Sequence, residues 1–132
     1  TQPLMVAMDD DIMPWLLGAS RGRLPAGEPR FREGTALTVV LAAENYPGVP
    51  VKGMPISGLS RADTMENIKV FFAGTRVHGG THVVNGGRVL GVTAFGRDLC
   101  EARRRAYEAV TEISFSGMQY RTDIGGKRGT NG

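Results

Sequence analysis

VVNGGRVLGVTAFG, residues 83–96, reads as the end of one strand, a glycine-rich connection and a second strand. Val89, Leu90, Val92 and Phe95 make the second piece apolar, in the manner of a strand. Gly86 and Gly87 raise a question because Arg88 follows at once. Two glycines suit a tight turn, since glycine enters φ > 0 without a Cβ penalty. They equally suit a bare backbone that an anionic ligand can approach closely. Arg88 would then present its planar fork to that anion. From the residues alone both readings stand.

Downstream of this stretch, Asp98 opens a helix and Glu101 follows three residues later, the spacing of a reciprocal cap. Leu99, Ala102, Ala106, Val110 and Ile113 form its buried stripe, with Arg103, Arg104 and Arg105 facing mostly outward. FSGMQYRTDI (115–124) closes the domain, and residues 126–132, which lack apolar side chains, are expected to be disordered. Upstream, HGGT (78–81) is a hairpin turn that joins the strand NIKVFFAGTRV (67–77) to THVV (81–84). VKGMPISGL (51–59) is a short extended piece. ALTVVLAAENYP (36–47) is a strand followed by a turn that Asn45 initiates. Tyr46 and Tyr120 read as packing aromatics with a wet hydroxyl. The sum is a small α+β unit: a largely antiparallel β-sheet with one long helix.

The first twenty residues have a different character. Met5, Met8, Ile12, Trp15 and Leu16 recur at helical spacing, and Pro3 suits a first helical position. Pro14 forbids one unbroken helix, but lies in the first turn of a second one if Asp11 caps it. The run Asp9-Asp10-Asp11 reads as capping and solvation rather than a metal site. RGRLPAGEPRFREGT (21–35) is a linker or crossing loop. Residues 1–34 therefore look like one unit and residues 35–125 like another.

The chain has 132 residues, a size for one domain or one domain plus a piece of another; 41% are hydrophobic and 22% charged, an ordinary soluble composition. Its net charge of +3 and pI near 9.4 permit an anionic small molecule or a nucleic acid and demand neither. The arginines are scattered and few aromatics sit beside them, so a nucleic-acid module is not favoured. Cys100 is the single cysteine, which excludes an internal disulfide and fits a reducing compartment; it reads as a small buried residue. His78 and His82 flank a Gly-Gly pair and read as hairpin surface residues, with no further metal-ligand spacing around them. No apolar run is long enough to span a bilayer.

Several phrases occur in order: ALTVVLAAENYPG, KVFFAGT, NGGRVLGVTAFG, EARRRAYEAV and FSGMQYRTDIG. As a set they resemble the C-terminal domain of the phosphoribosylamine–glycine ligase family, the glycinamide ribonucleotide synthetases. The opening TQP resembles the point just after that family's Asp-Pro-Glu motif, at the end of its ATP-grasp core. The resemblance implies that residues 1–34 are helices and linker from the end of that core. It also implies a cytoplasmic ligase of purine biosynthesis that uses ATP and Mg²⁺. Glycine is activated as an acyl phosphate, and the amine of 5-phosphoribosylamine attacks it to give glycinamide ribonucleotide, ADP and phosphate. The acidic metal ligands, the phosphate loop and the adenine pocket would lie upstream of Thr1. Catalytic and metal-binding residues are therefore not expected in this chain, nor a cofactor bound to it alone, nor ligation by it alone. Pro14 is a smaller departure, in a helix that runs on through leucines in relatives.

In that family the C-terminal domain packs against the ATP-grasp core and helps close the substrate site. The resemblance thus gives Arg88 and Gly87 a candidate anion, the 5-phosphate of the ribosylamine. Lys52, the Thr75 hydroxyl and the Gly74 N–H are further substrate-binding candidates. A nucleic-acid-binding module and a purely structural lid are the alternatives.

Overall fold

The computed structural model describes residues 1–126; residues 127–132 of the expected disordered tail lie outside the described residues. In chain order the elements are α1 (Gln2–Ala7), α2 (Met13–Ser20), β1 (Thr35–Ala42), α3 (Leu59–Asp63), β2 (Ile68–Phe72), β3 (Thr75–His78), β4 (Thr81–Val84), β5 (Arg88–Gly96) and α4 (Leu99–Glu112). The main sheet is antiparallel in the order β1-β5-β2. β3 and β4 form a separate hairpin whose turn glycines, Gly79 and Gly80, have φ of 55° and 77°, as a two-residue turn requires. The extended segment 53–56 pairs with the other edge of β4: the Gly53 N–H donates to the Val84 carbonyl at 2.8 Å and the Ile56 N–H to the His82 carbonyl at 2.9 Å. The α+β class, with antiparallel sheets and one long helix, is the class expected.

Alternation along the strands divides the sheet into two faces. Leu37, Val39 and Leu41 of β1 join Val70 of β2 and Leu90, Val92 and Ala94 of β5 on one face, all buried. α4 covers that face through Ala102, Ala106, Ala109 and Val110. Alanines let a helix approach a sheet closely. The approach is tight enough at the end of β5 that a Cβ on Gly96 would lie 2.5 Å from the Ala102 nitrogen.

The other face carries Thr38, Val40, Gly91, Thr93 and Phe95, and α1 lies across β1 and β5 there. Thr93 is fully buried, and its hydroxyl shares a 2.7 Å hydrogen bond with that of Thr38. A Cβ on Gly91 would meet the Gln2 side chain at 2.7 Å, so glycine here makes room for α1. The Arg32 guanidinium stacks 3.9 Å above Phe95. β5 is therefore covered on both sides, which is why it reads as a nearly continuous apolar run rather than an alternating one.

Several local expectations change. The strand read over 67–77 is broken after Phe72, so β2 and β3 belong to different sheets. Leu99 is not part of the buried stripe but 47% exposed, and Cys100 is exposed rather than buried. Both occupy the first turn of α4, which overhangs the end of the sheet. Arg103 does not face solvent freely: it donates to the Ile124 and Thr122 carbonyls and ties the C-terminal segment to α4. His82 is half-buried, stacked on Phe72 with ring centroids 4.6 Å apart; His78 is exposed. At the amino end two short helices do form, and Asp11 Oδ1 accepts from the Met13 N–H at 2.9 Å ahead of Pro14. Met8 lies between them in a bridge with Phe31, so the spaced apolar residues do not share one helical face.

The cap of α4 is reciprocal but displaced by one residue. Asp98 accepts from the Glu101 N–H at 2.8 Å, while Glu101 Oε2 accepts from the Arg97 N–H at 2.8 Å, not from Asp98. That backbone bond, together with the Arg97 and Arg105 guanidiniums, pulls the Glu101 carboxyl from 4.5 down to about 2. A depressed carboxyl stabilises the fold fully above its ordinary value, and this stabilisation is lost as pH falls through the folded-state value. The Asp10 and Asp123 carboxyls are also lowered, by Arg30 and Arg121, and act in the same direction. Unfolding midpoints should therefore drop between about pH 4.5 and 2, and Glu101→Gln should flatten that drop; an unchanged pH slope would refute the role of this carboxylate. In the core, Leu90→Ala should lower stability by about 2–5 kcal/mol in denaturant titration.

Candidate functional site

Gly74, Gly86 and Gly87 bring two pieces of main chain together at the start of β5. After Phe72 the chain follows β5 for two more residues. The Ala73 N–H donates to the Val89 carbonyl at 3.0 Å and the Gly74 N–H to the Arg88 carbonyl at 2.7 Å. The Asn85 N–H then donates to the Gly74 carbonyl at 2.7 Å. At this crossing a Cβ on Gly74 would lie 2.7 Å from the Gly86 Cα, and one on Gly86 would lie 3.0 Å from the Gly74 Cα. Neither Gly86 nor Gly87 has a left-handed φ. The tight-turn reading of this pair is thus corrected: β4 and β5 lie in different sheets, and the glycines allow two backbones to cross in contact.

The crossing forms one side of a cleft of about 680 Å³. Thr1 and Gln2, Val40, Tyr46, Ala73, Gly74, Gly86, Gly87, Arg88, Leu90 and Gly91 line it. A shallower, more apolar depression of about 380 Å³ adjoins it, lined by Val40, Ala42, Tyr46, Arg88, Gln119, Tyr120 and Arg121. Arg88 and Tyr46 stand between the two.

Arg88 is exposed, and among the described residues its guanidinium has no hydrogen-bond or ion-pair partner, unlike most neighbours of its type. Arg30 is held by Asp10, Arg61 by Glu112, Arg97 and Arg105 by Glu101, Arg104 by Glu108 and Arg121 by Asp123. Among the described residues, the Gly86 and Gly87 N–H groups also donate to no backbone acceptor. A cationic fork beside two free amides on a concave surface is suited to an anion of phosphate type.

The structure brings Gly87 and Arg88 into this cleft and leaves Lys52 and Thr75 out of its lining. Lys52 is exposed in the loop before segment 53–56, and Thr75 is half-buried at the start of β3. The Gly74 N–H is already engaged by the Arg88 carbonyl and cannot serve a ligand as expected. None of the lining residues is a His, Cys, Asp or Glu, and Arg88 is the charged side chain among them, so the cleft is suited to holding an anion. Among the described residues no three potential metal-ligating side chains gather. Among the lining residues that sequence reasoning missed are Gln2 and Tyr46. Gly91 inside an apolar strand was the available signal for Gln2, because a strand glycine marks close approach.

Residues 36–127 match the family described as phosphoribosylglycinamide synthetase, C domain. The chain is 50% identical over 126 residues to a phosphoribosylamine–glycine ligase of Caulobacter vibrioides, covering 94% of this chain and 29% of that protein. It is 45% identical over 130 residues to the corresponding ligase of Streptomyces coelicolor, covering 96% of this chain and 31% of that protein. The crystal structure of phosphoribosylamine–glycine ligase from Thermotoga maritima superposes with a TM-score of 0.71 at 39% identity, over 86% of this chain and 27% of that one. The chain thus spans less than a third of the length of the relatives it matches.

Geometry separates stability from binding in this cleft. Arg88→Ala should change unfolding free energy by no more than about 0.5 kcal/mol, since its side chain is exposed and makes no hydrogen bond or ion pair among the described residues. Gly86→Ala should cost about 1–3 kcal/mol by forcing the two main chains apart. Thermal unfolding of the two variants side by side checks both.

Proposed function

We propose a substrate-closing role from one premise: this chain belongs to the phosphoribosylglycinamide synthetase C-domain family. The ligase joins glycine to 5-phosphoribosylamine with ATP, giving glycinamide ribonucleotide, and works in the cytoplasm. Residues 35–125 are its C-terminal domain, and residues 1–34 are the end of the ATP-grasp core and the linker from it. The domain packs against that core and closes the substrate site from one side. ATP and Mg²⁺ are held by the core. The described residues here gather no acidic cluster that fits them, and no step is routed through them in this part of the enzyme.

What supports the reading is the unpaired Arg88 guanidinium beside the free Gly86 and Gly87 amides in a concave surface. Arg88 takes the 5-phosphate of the ribosylamine. A phosphate gripped far from the reacting amine lends its binding free energy to orienting that amine. Lys52 and Thr75, outside the cleft, are assigned at most a peripheral part in holding the same substrate. A nucleic-acid reading is not favoured, because Arg30, Arg61, Arg97, Arg104, Arg105 and Arg121 are neutralised by carboxylates rather than gathered on a bare face.

In the full-length ligase, Arg88→Ala should raise KM for phosphoribosylamine by roughly 10- to 100-fold, the worth of a charge-assisted hydrogen-bond pair. KM for ATP should stay put, and Arg88→Lys should recover part of the loss. Steady-state kinetics with each substrate varied in turn decides it; an equal rise in both KM values rejects the assignment.

A further inference from the structure

Tyr46 walls both depressions that meet at Arg88, yet the reading above gives it no part. Its ring sits directly on the Gly87 backbone: a Cβ on Gly87 would lie 2.5 Å from Tyr46 Cδ2 and 3.1 Å from Cε2. The same short segment grips Gly87 a second time, since the Ala43 N–H donates to the Gly87 carbonyl at 2.8 Å. The Tyr46 N–H donates to the Ala43 carbonyl at 3.2 Å, and Asn45 adopts a left-handed φ of 67° between them. Residues 43–46 therefore curl around Gly87, with an amide on one side and an aromatic ring on another. The ring is 41% exposed, and among the described residues its hydroxyl has no hydrogen-bond partner.

Gly86 and Gly87 have no side chains with which to hold themselves. Two adjacent glycines have the largest backbone freedom of any pair, and the residue after them inherits that freedom. Something outside the pair must hold it if the guanidinium of Arg88 is to stay aimed. The three heavy atoms nearest a Cβ built on Gly87 all belong to the Tyr46 side chain.

We propose that Tyr46 is a positioning residue for Arg88: its ring, seated on Gly87, fixes the backbone from which the guanidinium reaches the substrate phosphate. This rests on the assignment of Arg88 above. The pairing is mutual. Any side chain at 87 would occupy the place of the ring, and without the ring only the hydrogen bonds from Ala43 to the Gly87 carbonyl and from Gly74 to the Arg88 carbonyl remain to hold the entry into β5. The action runs through packing, so the aromatic ring is required and the hydroxyl is not.

The test uses the full-length ligase carrying Tyr46→Ala, Tyr46→Phe, Arg88→Ala and the Tyr46→Ala/Arg88→Ala pair. Tyr46→Ala should raise KM for phosphoribosylamine by about 10- to 100-fold, as a misaimed binding group does, with KM for ATP unmoved. Tyr46→Phe should stay within about twofold of the parent enzyme. The pair should be no worse than Arg88→Ala alone, because the two residues act as one unit. A Tyr46→Phe enzyme as impaired as Tyr46→Ala would overturn the proposal, since the hydroxyl would then be touching substrate. Additive losses in the pair would overturn it as well, as would a Tyr46→Ala enzyme that melts earlier but keeps its KM. If Tyr46→Ala does not fold, Tyr46→Leu takes its place under the same criteria. A silent Arg88→Ala would bring down the assignment of Arg88 itself, whereas an impaired Arg88→Ala with a silent Tyr46→Ala brings down this inference alone.

Discussion

Burial of β5 on both faces is the constraint on which the remaining structure depends. The strand has no solvent side: α4 covers Leu90, Val92 and Ala94, while α1 and the Arg32 segment cover Gly91, Thr93 and Phe95. Everything laid on it must therefore come close and leave no polar group unpaired. That demand accounts for the alanines of α4, for glycine at 91 and 96, and for the Thr38–Thr93 hydroxyl pair.

The cleft is a consequence of how the chain enters this strand. To begin β5 at the edge of the buried layer, the backbone must pass under residues 73–74 as they leave β2. Two main chains cannot cross at that distance if either carries a Cβ, so both are glycine there. The Gly74 N–H pairs with the Arg88 carbonyl and the Asn85 N–H with the Gly74 carbonyl, but the Gly86 and Gly87 amides donate to no backbone acceptor among the described residues. Arg88 then emerges where no carboxylate reaches it. A structural solution to crossing backbones thus leaves behind donors and a positive charge on a concave surface, which are the requirements for an anion site.

Much of the architecture was legible in the residues themselves. The Gly79-Gly80 hairpin, the Asp98 cap, the break imposed by Pro14 and the apolar character of β1 and β5 are signals that act within a few positions, and each appears where its chemistry requires. Arg88 could be singled out as a cation beside bare backbone for the same reason. Local signals failed where neighbours from far along the chain intervened. One apolar run from 67 to 77 gave no sign of the break, because the break is made by the passage of residue 86 over residue 74. Leu99 looks buried by helical period and Cys100 by residue type, and neither is, since both lie in the first turn of α4 ahead of the residues that pack on the sheet.

By itself, then, the amino-acid sequence determined most of the strands, the Gly79-Gly80 hairpin and the long helix, since short-range sterics and hydrophobic period govern these, while the order of its phrases carried the family resemblance. The tertiary structure alone decided why Gly86 and Gly87 are glycines, that Arg88 is left without a carboxylate among the described residues, and that Tyr46 rests on Gly87. Each of those depends on which distant segments are pressed together when β5 is buried from both sides, and no window of neighbouring residues contains that information.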